Sequence, residues 1–199
     1  QPAFTPTLSA AQALNLGCAC QTLVPQRMHE AIEATPGLRG LGGSLALSHP
    51  HLFSPTVVFL DAHVHRQITQ AIRAMEAVAT LPSWQAMALS RAPAIARHRW
   101  GPAGVFMGYD FHLTSQGPKL IEINSNAGGA FLMSAAARAH RACCEAFEVF
   151  LSTGSESESL EAAVVDMFQS EWRTQRPNQP LRNVLIVDER PGEQYLAPE

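Results

Sequence analysis

Alternation of apolar and polar side chains is sharpest between Val105 and Asn124. Two runs, Val105–Leu113 and Lys119–Asn124, flank Thr114-Ser115-Gln116-Gly117-Pro118, a turn-type cluster holding a Gly and a Pro. This arrangement predicts an antiparallel hairpin with a loop of about five residues. Pairing Leu113 with Lys119 sets Asp110 directly opposite Glu122. Because side chains alternate along a strand, one face carries Val105, Met107, Tyr109, Phe111, Leu113, Ile121 and Ile123. That face is expected in a core. The other carries Asp110, His112, Glu122 and Asn124.

The remaining pattern is mostly helical. Ser9–Gln21 reads as a short Ala-rich helix, and Pro25 opens a second over Gln26–Ala34, stopped by Thr35-Pro36-Gly37. The Gly-rich Leu38–Ser44 reads as a loop, because it lacks the spacing and the following Lys of a phosphate loop. Leu45–Ser54 is irregular, and Thr56–Leu60 looks like a short buried strand. Arg66–Thr80 places Ile68, Ile72, Met75 and Ala79 at helical spacing. A short helix over Trp84–Ser90 ends at Pro93. A long helix is expected over Gly129–Leu151, capped by Asn126, with Leu132, Ala136, Ala139, Cys143, Phe147 and Phe150 along one side. After the low-complexity Ser152–Ser159, a helix over Leu160–Thr174 carries a core stripe of Val164, Met167, Phe168 and Trp172. Val184–Asp188 is a continuous apolar run of the buried parallel-strand kind, with a helix expected from about Glu193.

Composition narrows the picture. The 199 residues are 46% hydrophobic and 16% charged, with a formal charge of −3 and no basic block. That argues against partners among nucleic acids or anionic membrane surfaces. No apolar run approaches the roughly 18 residues of a spanning helix. The N-terminal QPAFTPTLS lacks the basic start and apolar core of a signal peptide. The four cysteines, Cys18, Cys20, Cys143 and Cys144, lack zinc-site spacing and read as reduced thiols, which fits a cytoplasmic compartment. Lys119 is the only lysine.

The polar face of the hairpin is the place for chemistry. Carboxylates facing each other across a ladder repel, and burial sharpens the repulsion unless a proton or a cation intervenes. Two carboxylates with an amide form an oxygen set that Mg²⁺ accepts, usually sharing its shell with water and phosphates. An ordinary solvated face on an exposed hairpin is the competing reading. The basic cluster Arg97, His98, Arg99 precedes the hairpin and reads as a solvated loop, with phosphate contact as the alternative. Behind the hairpin, Ala127-Gly128-Gly129 lets a backbone come close to something; its amides at a helix start suit an anion, and plain packing accounts for it equally. Asn126, Gly128 and Gly129 are therefore candidate cofactor-binding residues.

Asp110, followed about a dozen residues later by Glu122-Ile123-Asn124, resembles the metal-binding hairpin of the ATP-grasp ligases. The phrase IEIN and the following Gly128-Gly129 are most similar to the circularly permuted branch, which includes eukaryotic-type glutathione synthetases and glutathionylspermidine synthetase-like proteins. The resemblance implies that Asp110, Glu122 and Asn124 hold Mg²⁺ on ATP; His112 shares their face without an assured counterpart. It implies an ATP-dependent carboxylate–amine ligase working through an acyl-phosphate, with a small-molecule or peptide carboxylate and an amine as substrates. It further implies an α/β (α+β-like) fold with helices around an antiparallel, hairpin-containing sheet of the ATP-grasp type. Residues 1–175 would form the N-terminal part of the permuted domain: helical region 1–104, hairpin 105–124, helices 126–175. Residues 176–199 would be a linker and the first strand of a substrate-binding α/β domain. On this reading the sequence is an N-terminal piece of a longer protein, with the ATP-binding lysines and glycine-rich lid lying later, and inactive alone.

Two other classes stand beside it. One is a non-catalytic binding protein that keeps the hairpin. The other is a metal-dependent hydrolase, since Phe59-Leu60-Asp61-Ala62-His63-Val64-His65 resembles the first-strand His-x-His motif of amidohydrolases. The helical pattern from Arg66 leaves no room for the loop that motif leads into, so His63 and His65 are expected at the start of a helix with Asp61 as its cap.

Overall fold

A computed structural model of the protein describes residues 8–18, 23–35, 37–99, 101–104, 106–140, 145–152 and 160–197. The chain is mixed α/β. Its elements in order are α1 (Ala10–Gly17), α2 (Pro25–Ala34), α3 (Gly42–Ser48), α4 (Ala62–Ala79), α5 (Pro82–Arg91), β1 (Met107–Thr114), β2 (Gly117–Ser125), α6 (Ala130–Ala139), α7 (Glu145–Ser152) and α8 (Leu160–Gln175). They fall into two compact units.

The first unit comprises residues 1–61, 128–164 and 184–199. Its core joins Met28 and Ile32 of α2, Leu45 of α3, and Leu132, Ala135, Ala136 and Ala139 of α6, with Leu23 and Leu38 from the connections. Small residues on α6 let the larger side chains of α2 seat against it. A second cluster sets Phe59 edge-to-face on Phe147 at 4.8 Å, over Ala11 and Leu14 of α1. Local chemistry fixes the helix ends. Ser9 and Gln12 form a reciprocal capping box at α1. Pro25 occupies the first turn of α2, where its missing N–H has no intrahelical partner to lose. The buried Thr35 hydroxyl, just past α2, donates to the Ala31 carbonyl at 2.7 Å and accepts from Arg138 of α6 at 2.8 Å; Arg138 also pairs with Glu161 at 3.1 Å.

Several expectations are corrected here. The Gly-rich segment is a loop only to Leu41; Gly42–Ser48 is helical. The reason lies outside the segment: the Glu33 carboxylate accepts from the amides of Gly40 at 2.9 Å and Gly42 at 3.1 Å, satisfying donors at the helix start. Thr56–Leu60 pairs with no strand among the described residues. Instead the Asn15 side chain donates to the Phe59 carbonyl at 2.9 Å and accepts from its amide at 2.8 Å, standing in for a neighbouring strand. The long helix expected over Gly129–Leu151 is two, α6 and α7; α6 ends at His140, whose backbone is extended (φ −63°, ψ 143°). Asn126 does not cap α6. Gly129 (φ 89°) stands at that position, with no side-chain cap. Val184–Asp188 forms no strand, and a single 3-10 turn at Pro191–Glu193 replaces the expected helix. Cys20, Cys143, Cys144 and the linker residues 153–159 lie outside the described residues.

The second unit comprises residues 62–127 and 165–183. It holds the hairpin β1–β2, with α4 lying against β2. Near its base, Phe106 sits edge-to-face to Phe168 at 5.8 Å. Among the described residues, every buried apolar side chain belongs to the first unit. The hairpin face expected in a core is therefore largely open: Met107, Leu113, Ile121 and Ile123 are exposed. No helix of the described residues is long and apolar enough to cross a membrane.

Candidate metal and nucleotide site

The hairpin closes more tightly than its turn cluster suggests. Thr114 pairs with Gly117, leaving Ser115-Gln116 at the tip. Gly117 takes φ +97°, a left-handed value that costs glycine no Cβ clash. The Thr114 hydroxyl donates to the Gly117 carbonyl at 2.7 Å and accepts from the Gln116 amide at 3.2 Å. Lys119 consequently pairs with His112 rather than Leu113, one residue off the expected register.

A bulge corrects the slip. The register shifts between Asp110 and Phe111, so Phe111 faces Leu120 while Asp110 faces Glu122. Ile121 is the extra residue, and a β-bulge of this kind re-aims the side chains beyond it. The predicted carboxylate pair is thus formed, although its flanking register was not the predicted one. Asn124 pairs with Gly108, and its Nδ2 lies 3.4 Å from Asp110 Oδ2, at the long end of a hydrogen bond. Gly108 matters to this arrangement. A Cβ there would lie 3.0 Å from the Ala127 Cβ, tight enough that the chain just beyond β2 would have to give, and in ordinary contact with Asn124 at 3.6 Å.

Asp110, His112 and Glu122 are exposed and Asn124 is half-buried. Among the described residues neither carboxylate is ion-paired. Both side chains are in contact with water, which weakens the repulsion between charges at such positions. The donor set is two carboxylates and the amide oxygen of Asn124, all hard oxygens of the sort Mg²⁺ prefers. His112 shares the face, two pairs nearer the tip and opposite Lys119. On the other face the Tyr109 hydroxyl donates to Glu76 of α4 at 3.4 Å. Burial, and then the neighbouring Glu76 charge and that hydrogen bond, hold the phenol above its ordinary ionisation range.

The other candidates have surroundings of their own. Asn126 adopts φ +64°, a conformation Asn tolerates better than most residues, just beyond β2. Gly128 and Gly129 belong to the first unit. Gly129 is buried, and an added Cβ would make ordinary contact with Leu196 at 3.5 Å, so its positive φ accounts for this glycine. Arg97 turns back to donate to the Leu89 carbonyl at 3.2 Å. His63 and His65 lie exposed in the first turn of α4, where positions two apart point roughly 200° apart around the axis. Two such imidazoles do not converge on one ion. Among the described residues no group of three His, Cys, Asp or Glu side chains is gathered as a metal site.

Glu76 and Gly108 were not singled out by the sequence. Gly108 carried a signal, a glycine inside a strand pattern across from a polar residue; Glu76 carried none, because its helix meets the hairpin only in three dimensions. No protein-family model, curated protein or solved structure matches this chain.

Proposed function

We propose that the hairpin is a Mg·ATP site of the ATP-grasp kind and that the protein serves an ATP-dependent carboxylate–amine ligase reaction. One observation supports the reading above the others: Asp110 and Glu122 stand directly opposite across the ladder, with the Asn124 amide beside Asp110. Asp110, Glu122 and the Asn124 oxygen would hold the ion. Bound there, Mg²⁺ supplies positive charge against the phosphates of ATP. In the reaction proposed, the γ-phosphoryl passes to a substrate carboxylate, and an amine then displaces phosphate to leave an amide. The chain's own contribution is positional. The tight turn and the bulge fix the carboxylate pair, and Gly108 leaves room for Ala127 just beyond β2.

Titration calorimetry with Mg·ATP tests the reading. Glu122→Gln keeps the size of the side chain and removes one anionic ligand. Its affinity for Mg·ATP is expected to fall about tenfold or more, on the scale seen when groups supporting a metal site are removed. Equal binding by wild type and variant would remove the hairpin from the site. In a protein that also carries the lysines and glycine-rich lid which the resemblance places later, binding without ATP-dependent phosphate release, with any carboxylate–amine pair, would favour a nucleotide-binding protein over a ligase.

A further inference from the structure

Val184, Leu185, Ile186 and Val187 are 65%, 85%, 85% and 81% exposed. Four consecutive large apolar side chains in water are unusual in a folded chain, where exposed apolar residues are normally scattered. Among the described residues no hydrogen bond satisfies the backbone of residues 183–187 internally. None of these residues takes a left-handed backbone, so an extended strand is open to all of them. The segment is β-prone, unpaired and flanked by charge, Arg182 before it and Asp188 and Glu189 after it. An unpaired segment that can extend in this way is a template for strand pairing.

We infer that residues 182–188 form an antiparallel strand pair with the same segment of a second copy, giving a weak two-fold dimer. The segment's own order of residues selects this occupant. The two-fold axis of an antiparallel ribbon stands normal to the sheet, so one residue must pair with its own copy. Centred on Leu185, the register places Leu185 on Leu185, Val184 on Ile186, Asn183 on Val187 and Arg182 on Asp188. The apolar centre is then closed at both ends by opposite charges, twice over by symmetry. Shifting the centre to Ile186 sets Val184 against Asp188 and Arg182 against Arg190, which like-charge repulsion disfavours. In the favoured register Val184 and Ile186 of both copies line one face, and Leu185 and Val187 line the other. One Asp188 oxygen accepts from the Glu189 amide at 2.6 Å, which leaves the second for the partner's guanidinium. Seven residues per copy cover far less than the roughly 1,600 Å² of a standard interface, so association is weak and depends on concentration and salt.

Sedimentation equilibrium on the 199-residue chain, from about 5 to 500 µM at low and high salt, reads the association across the range expected of a small interface. The wild type is expected to shift from monomer to dimer. Asp188→Arg faces like charge with like charge and is expected to weaken dimerisation about tenfold; the double variant R182D/D188R, which restores opposite charges, is expected to recover it. These positions are exposed, and circular dichroism shows whether each variant keeps its fold. As an independent check, L185C should form a reducible dimer joined through position 185, whereas I186C, displaced two residues from its copy, should not. A chain that remains monomeric throughout, or a dimer indifferent to D188R, overturns the proposal. Failure of the double variant to recover the dimer, or equal cross-linking at 186, overturns the register and with it the argument that selected this partner. None of these results depends on whether the hairpin binds nucleotide.

Discussion

Replacing Glu122 with Gln should move stability and ligand binding in opposite directions. Opposed residues in a ladder have Cβ atoms about 5 Å apart, and two charges at that distance in water repel by about 0.8 kcal/mol. Ionic strength near physiological reduces this to about 0.4 kcal/mol, because the separation is more than half a Debye length. Both carboxylates are in contact with solvent, so the water value applies rather than an interior one. Without metal, Glu122→Gln is therefore expected to stabilise the protein slightly. A gain of about 0.5 kcal/mol raises the melting temperature by about 1–2 °C for a chain of this size. Adding Mg²⁺ with ATP should reverse the order, since ligand bound only to the folded wild type stabilises it while the variant gains less. Thermal melts of both proteins, in low and high salt and with and without Mg·ATP, give the four comparisons. If the metal-free variant is the less stable protein, the charge pair is not repulsive as argued. If Mg·ATP stabilises both equally, the pair does not hold the ion.

Other consequences are as direct. Asn15→Ala removes both hydrogen bonds to the Phe59 backbone, which is buried against Phe147; two lost bonds cost about 2 kcal/mol together. Urea denaturation and exchange of the Phe59 amide both report it, and a change under about 0.5 kcal/mol would mean that water replaces the asparagine at no cost. Stability should also fall on acidification, in two steps. Burial holds His140 below its ordinary 6.5, so the unfolded chain takes up that proton first and stability declines as pH drops from 6.5 toward the lowered value. The amides of Gly40 and Gly42 hold Glu33 below its ordinary 4.5, so its stabilising contribution is complete above 4.5 and is lost as pH falls through the lower folded value. Denaturation midpoints from pH 8 to 3 for wild type, H140N and E33Q check this; retention of the lower step in E33Q would assign it to another group.

The sequence was most informative where interactions are local. A helix is read from Ser9 and another from Pro25, and α1 and α2 begin at those places, Ser9 sharing a capping box with Gln12. The hairpin was legible from alternation and a turn cluster. Its details, the tighter turn and the bulge at Ile121, were not. The two departures cancel at Asp110, so the facing pair emerges from either path. Segments whose structure depends on a distant side chain were misread. Gly42–Ser48 is helical with help from Glu33, and Thr56–Leu60 finds its backbone partners in Asn15.

Along this chain, residue order alone settled the hairpin and the starts of α1 and α2, since caps, prolines and alternation act over a few residues. It also set Asp110 against Glu122. Tertiary structure decided which apolar faces are buried. Packing of α2 on α6 gathers the core into the first unit, while the hairpin's apolar face and Val184–Val187 stay in contact with water. A hydrophobic pattern states that a face is better covered; only the arrangement of the other elements determines whether anything covers it.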